Sequence, residues 1–441
     1  ARPWTDAELK RWESFVGWDF GGIWLVEEGH DTPVLSWQVD FAGGDGSADA
    51  PYQIETALQL NKVRGYLGDS NIHFEQKNDI TLPNVAAGES NWAPIGTDLT
   101  PFTGTYDGGG YSISNLTINN STIQCVGLFG SVGTGGTLEN IRLTGVNISS
   151  ITWGAYVGGV TGVNQGTVIN SSSEGSVSGG DSANVGGLIG NGGGVITYNY
   201  SAANVTGGNN ANVGGLLGRS YVSTSDNYST GTITGGDNAR VGGLIGDVDD
   251  GTVTNSYSTG SASGGTGASS GGLIGGGNAT VNDSYYLDTA GTSAGGAPLT
   301  AAQMKQWESF EGWNFDSVWK RGQNISYPTL QWQTWTADEE ITADLIALIW
   351  DDIRGMNDSA SEVTTDPVSY THLRAHETVL DIVCRLLLEK KKRTHTKPPT
   401  ITTAFSPTCI QTFCRTAHHQ KLSFIVFHTY AHIYQVSTSP S

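Results

Sequence analysis

The chain has 441 residues, enough for two or three domains around a substantial core. Gly numbers 62, close to twice the average share, charged residues are only 15%, and the formal net charge is −20. With no Gly-X-Y period and no apolar run of about 18 residues, these figures exclude collagen and a membrane-inserted helix, and they argue against nucleic acid as a partner.

The first 40 residues are tryptophan-rich. The stretch Trp12-Glu13-Ser14-Phe15-Val16-Gly17-Trp18-Asp19-Phe20 returns as Trp307-Glu308-Ser309-Phe310-Glu311-Gly312-Trp313-Asn314-Phe315, at an offset of 295. The same offset carries Trp24 to Trp319, Pro33 to Pro328, Leu35 to Leu330 and Trp37 to Trp332. Residues 1–40 therefore read as the end of one module, and about 41–335 as its full successor, with tandem modules flanking it. The chain opens on Ala1 with no signal-like segment, which reads as a fragment of a longer protein. Each Trp segment is expected to cap a hydrophobic end, with Lys10 and Lys305 solvating a short helix.

Residues 41–120 read as a lead-in with the first coils. Over 121–290 a short motif recurs, starting at Val126, Val157, Val185, Val213, Val241 and Ser270. Its fullest form is Val-Gly-Gly-Leu-Ile-Gly, and the spacings are 31, 28, 28, 28 and 29 residues. A polar-aromatic mark follows: Asn199-Tyr200-Ser201, Asn227-Tyr228-Ser229, Ser256-Tyr257-Ser258, Ser284-Tyr285-Tyr286. A β-prone pair and two glycines close the repeat, as in Val205-Thr206-Gly207-Gly208. β-branched and aromatic residues separated by Gly and Asn predict three short strands per repeat, with no helical period. The expected fold is all-β: a parallel β-solenoid of about 28-residue coils, with short helices at the caps and linker. Asn199, Asn227, Ser256 and Ser284 should align as a polar ladder. Both Leu188 and Ile189 are apolar, so the phase of the motif strand stays open.

These motif copies resemble the GLUG-motif family, named for its Gly-Leu/Val-x-Gly core. Pro51-Tyr52-Gln53-Ile54, Trp92-Ala93-Pro94-Ile95-Gly96 and Pro101 to Tyr111 resemble the segments that precede such repeats. The resemblance implies a bacterial secreted or cell-surface location. Some members are adhesin-like, and some carry the motif beside an immunoglobulin A metallopeptidase domain.

Residues 291–335 form the second Trp-rich cap, and 336–368 an acidic linker with helical spacing over Ala337–Ile353. At Pro367 the composition changes abruptly. Three of the four Cys, seven of the nine His and nine of the 22 Lys+Arg follow residue 368. Ser369–Thr378 (SYTHLRAHET) and Asp381–Lys391 (DIVCRLLLEKK) resemble the translation of a transposase-type sequencing adapter, in its natural order. The resemblance spans 369–392 and marks 369–441 as a non-native tail. Without it, 13 Lys+Arg face 39 Asp+Glu, and one Cys (Cys125) and two His (His30, His73) remain. No metal-binding or disulfide framework survives that exclusion.

Catalysis has few candidates. There is no Lys between Lys77 and Lys305, and Arg142, Arg219 and Arg240 are the only bases in the solenoid. A lyase needs a proton acceptor and a neutralised carboxylate; a glycosidase needs two carboxylates about 5–10 Å apart. Asp247, Asp249 and Asp250 form the one acidic cluster, at a corner after a motif copy. Solvated turn residues, a polysaccharide-cleaving pair and a calcium site are the alternatives there, calcium extending to Asp181 and Asp237. The expectation is a non-catalytic stalk or display module without a resident cofactor. Its candidate ligand face, for a glycan or another host or cell-surface ligand, is the column of Tyr200, Tyr228, Tyr257 and Tyr285 with Asn199 and Asn227.

Overall fold

A computed structural model describes residues 3–333, apart from 12–13, 16–17, 19–23, 27–31 and 321–325. The chain divides into two compact units, Ala1–Glu340 and Ile341–Ser441. The expected helix over Ala337–Ile353 and the tail 369–441 lie outside the described residues. Among the described residues, no helix is long and apolar enough to cross a membrane.

The first unit is a parallel β-solenoid of about seven turns of about 29 residues. One coil shows the plan: β1 (Asn184–Gly186), β2 (Ile189–Gly192), β3 (Val195–Thr197), β4 (Tyr200–Ser201) and β5 (Asn204–Thr206). Each strand pairs in parallel with its counterpart one coil on, as in Val185↔Val213, Ile189↔Leu217, Thr197↔Ser225, Tyr200↔Tyr228 and Val205↔Ile233.

The coil thus has five strands where the sequence suggests three. The motif is not one strand, because the chain bends at Gly187 and Leu188 between β1 and β2. Strand alternation does not run through a bend, so Leu188 and Ile189 both point inward and both are fully buried. Val185, Ile196 and Val205 complete the coil's contribution to one continuous core. The glycines at the bend permit a backbone approach that no side chain allows. A Cβ on Gly186 would meet Ile189 O at 2.0 Å, and one on Gly187 would meet Ser201 Oγ at 2.1 Å.

The polar ladder forms, but it faces inward. Asn199 and Asn227 are fully buried. Each ladder residue accepts the backbone N–H of the equivalent residue one coil earlier: Asn199 Oδ1 from Ser171 N (2.9 Å), Asn227 Oδ1 from Asn199 N (2.9 Å), Ser256 Oγ from Asn227 N (3.1 Å). The residue before each ladder position turns the corner at positive φ: Tyr198 at 59°, Asp226 at 56°, Asn255 at 48°, Asp283 at 44°. That conformation is costly for residues other than Gly, and the buried hydrogen bonds beside it offset the cost.

The ends are closed without the tryptophans, the C-terminal one by the first residues of the expected 291–335 cap. At the N-terminal end α1 (Ala57–Lys62) buries Leu60, and rings from Phe41, Tyr52, Tyr66 and Phe74 cluster beside it. Thr56 and Gln59 form a reciprocal capping box at its start. At the other end residues 288–299 lie over the last coil. Ser293 Oγ accepts from Ile274 N at 2.9 Å, and Ala297–Leu299 adds a strand beside Tyr285–Leu287.

Candidate functional site: a covered tyrosine column and an arginine–aspartate cluster

The tyrosines occupy β4 of four successive coils. Tyr200 and Tyr228 stack with centroids 5.0 Å apart at 7°, and Tyr228 and Tyr257 at 4.9 Å and 2°. The coil spacing sets this distance, which also suits offset ring stacking. Tyr285 is the last tyrosine of the column, paired in register with Tyr257. In earlier coils Ser112, Arg142 and Ser172 hold the same column.

The centre of this column is covered: Tyr228 and Tyr257 are buried, and Tyr200 and Tyr285 are partly exposed. Residues 300–320 and 326–333 lie along the side of the rod and cover it. The expected cap is therefore a lateral strap. Trp332 stacks on Tyr200 at 5.7 Å, and its Nε1 donates to Tyr198 O at 2.8 Å. Trp319 is fully buried against Tyr228 and Tyr257, and its Nε1 donates to Asp226 Oδ1 at 3.2 Å. Trp313 Nε1 donates to Asp283 O at 2.7 Å. The tyrosine hydroxyls are also taken up. Tyr257 donates to Pro328 O at 2.7 Å, Gln333 Nε2 donates to the Tyr228 hydroxyl at 2.8 Å, and Glu311 N donates to the Tyr285 hydroxyl at 3.2 Å. Burial raises the pKa of Tyr228 and Tyr257 above the ordinary phenol value, since it penalises the phenolate. Asn199 and Asn227, expected on the same face, lie inside the coil.

Asp247 and Asp249 share Arg219, whereas Asp250 turns to the backbone. Asp247 sits on the β2 strand Ile245–Val248, its side chain only 2% exposed. Its Oδ2 accepts Arg240 Nη1 at 3.0 Å, and Arg219 Nε lies 3.6 Å from the same oxygen. Arg219 Nη2 meets Asp249 at 2.5 Å, and the guanidinium lies 4.8 Å from the Tyr221 ring centroid. That hydrogen bond to Asp249 is the main reason the Arg219 pKa is raised. Gly276 gives Arg240 its path, since a Cβ there would meet Arg240 Cδ at 2.7 Å. Asp250 bonds the N–H of Gly251 beside it. Two cations, Arg219 and Arg240, thus face two anions, Asp247 and Asp249.

The sequence held a signal for this cluster. Arg219 and Asp247 are 28 residues apart, one coil, and so are register neighbours.

The carboxylates considered for calcium serve the backbone instead. Asp181 Oδ1 accepts Asn209 N at 2.7 Å, and Asp237 Oδ1 accepts Thr266 N at 2.7 Å. Among the described residues, no three His, Cys, Asp or Glu side chains come together as a metal site. Cys125 is buried with Sγ 3.1 Å from Asp98 Oδ1, and burial pushes its thiol pKa up.

No family model matches the chain. It is 42% identical over 135 residues to a "Putative Gly-rich membrane protein" of Evansella cellulosilytica, a match spanning 30% of this chain and 16% of that relative. It is 36% identical over 145 residues to "Halomucin" of Haloquadratum walsbyi, spanning 31% of this chain and 2% of that relative. Both relatives are thus far longer than the shared stretch. Among solved structures, the crystal structure of "a putative immunoglobulin A1 protease from Bacteroides ovatus" matches with a TM-score of 0.50 at 21% identity. That match covers 67% of this chain and 96% of the other. At that identity it establishes a common fold.

Proposed function

We propose that this chain is a non-catalytic module of a large secreted or cell-surface bacterial repeat protein of the GLUG-motif kind, acting as an acidic stalk. The observation that carries the reading is where the chemistry-bearing residues go. The tyrosines support the strap, the ladder asparagines hold the coil corners, and the Asp247 cluster is neutralised by Arg219 and Arg240. The "membrane protein" and "Halomucin" names of the two longer relatives support a surface setting. An antibody to the solenoid should label intact source cells, and brief surface proteolysis should remove the label. Labelling only after cell lysis would contradict the reading.

An adhesive role is a second reading, and it needs a different surface from the tyrosine column. Trp153 and Ile151 are 74% and 73% exposed on one loop. Gly154 N bonds Asp181 O, which joins this loop to the exposed Asp181–Asn209–Asp237 column. An aromatic face beside aligned carboxylate and amide groups suits a glycan. A glycan array probed with the protein, and lost signal in Trp153→Ala, tests it; uniform silence leaves the stalk alone. The protease name of the Bacteroides ovatus neighbour also fits a passive region of a longer peptidase, and the sequence of the full gene decides that.

A further inference from the structure

The Trp-rich segment occurs twice in this chain, and its described residues share three local features. Thr5 and Glu8 form the reciprocal pair that Thr300 and Gln303 form: Thr5 N to Glu8 Oε2 at 2.8 Å, Thr300 N to Gln303 Oε1 at 2.9 Å. Each copy then makes a two-stranded antiparallel ribbon, Trp24↔Leu35 in one and Trp319↔Leu330 in the other. Each ends on a glutamine that accepts the ribbon's N–H, Gln38 from Leu35 N and Gln333 from Leu330 N.

Their surroundings differ. Met304 is fully buried under the C-terminal strap, whereas its counterpart Leu9 is 36% exposed. Trp319 is fully buried, and Trp24 is half-buried. Trp332 stacks on Tyr200, whereas Trp37 is 71% exposed. The solenoid has one tyrosine column, and the C-terminal copy occupies it. The earlier coils hold Ser112, Arg142 and Ser172 there, which offer no aromatic face.

We infer that the N-terminal Trp-rich segment docks, through Leu9, Trp24 and Trp37, on the tyrosine column of a second copy of this solenoid module. The apolar side chains exposed in the N-terminal copy stand at the positions that the C-terminal copy buries on such a column. Surface of this kind is stabilised by burial at about 25 cal/mol per Å², and tryptophan and tyrosine are favoured anchors at interfaces. Repeats joined this way would be tied side to side by a segment of the neighbouring module, beyond any stacking of their ends.

Two measurements on the full chain test this. In the first, Trp319→Ala with Trp332→Ala unseats the chain's own strap and opens its column. The wild-type chain should sediment as a monomer. The double variant should associate, the N-terminal segment of one copy on the column of the next, with the mass of a dimer or more, and further Leu9→Asp and Trp37→Ala changes should return it to a monomer. A variant that stays monomeric while Tyr228 and Tyr257 become reactive to nitration overturns the inference, as does association that ignores Leu9 and Trp37. If the double variant unfolds, the second measurement decides. Residues 300–333 are replaced in place by the sequence of 5–38. The inference expects Tyr228 and Tyr257 to stay protected from nitration in this chimera, with the melting temperature of the wild type. Reactive tyrosines in a chimera that keeps its β-rich circular dichroism contradict it.

Discussion

At the residue scale, the corners carry the fold. Asn227 receives the N–H of Asn199 and donates to Ser225 O (2.7 Å) and Thr224 Oγ1 (2.8 Å), all away from water. Asn227→Ala leaves several buried groups unpaired, at about 1–3 kcal/mol each. We expect a fall in the urea midpoint worth more than about 2 kcal/mol. Asn227→Ser should cost less, because serine already fills this rung at positions 256 and 284 and keeps the acceptor. Glycines divide in the same way. Gly187→Ala drives a Cβ into Ser201 Oγ and Gly215 O at about 2 Å, and overpacking of this kind costs about 1–3 kcal/mol. Gly65 has nothing within 4 Å of a built Cβ, so Gly65→Ala should leave the midpoint unchanged or raise it. The repeat made the ladder's alignment readable, but not its direction. Composition favours asparagine outside, and only the positive-φ corner before it explains why the amide turns in.

At the element scale, the strap forms a cluster of its own. Met304, Phe310, Trp313, Trp319 and Leu330 pack with Tyr228 and Tyr257, separately from the coil core. Trp319→Ala should therefore loosen the strap before the rod. Truncating a buried Trp costs about 3–5 kcal/mol where the site cannot collapse. Trypsin should then cut rapidly at Lys305 and Lys320, with the coils still intact. The three arginines between Lys77 and Lys305 should be cut later. Alkali tests the same contact. Tyr228 and Tyr257 have raised pKa values in the folded chain, so the stability they contribute is complete below the ordinary tyrosine value of 10.0 and is lost as pH climbs above it. Tyrosinate absorbance should rise in two phases, the second coinciding with the change in tryptophan fluorescence. A single phase at the ordinary value would contradict burial of the column. The sequence showed two matching Trp segments but suggested end caps. A lateral path depends on which coil side has an aromatic stripe, and four tyrosines at coil spacing were that signal.

At the scale of the molecule, the repeat period did most of the work. Spacings of 28 and 29 residues dictate register, and register alone aligns the tyrosines and joins Arg219 to Asp247. Strand count was less legible, since a bend at Gly187–Leu188 leaves no break in the apolar pattern. The cluster's chemistry was hidden for a related reason: three arginines look scattered until the coil is wound. The chain before residue 369 is also heavily acidic, with 39 Asp+Glu against 13 Lys+Arg. Self-repulsion of this kind is screened by salt, so the melting temperature should rise between low and moderate ionic strength.

The tyrosine column is sealed by the chain's own strap. Nitration with tetranitromethane, read residue by residue by mass spectrometry, tests this most directly. Tyr111 and Tyr221, 39% and 43% exposed, should react first. Tyr228 and Tyr257 should stay unmodified until the protein is unfolded. Modification of Tyr228 and Tyr257 at the rate of Tyr111 in the folded protein would contradict the account.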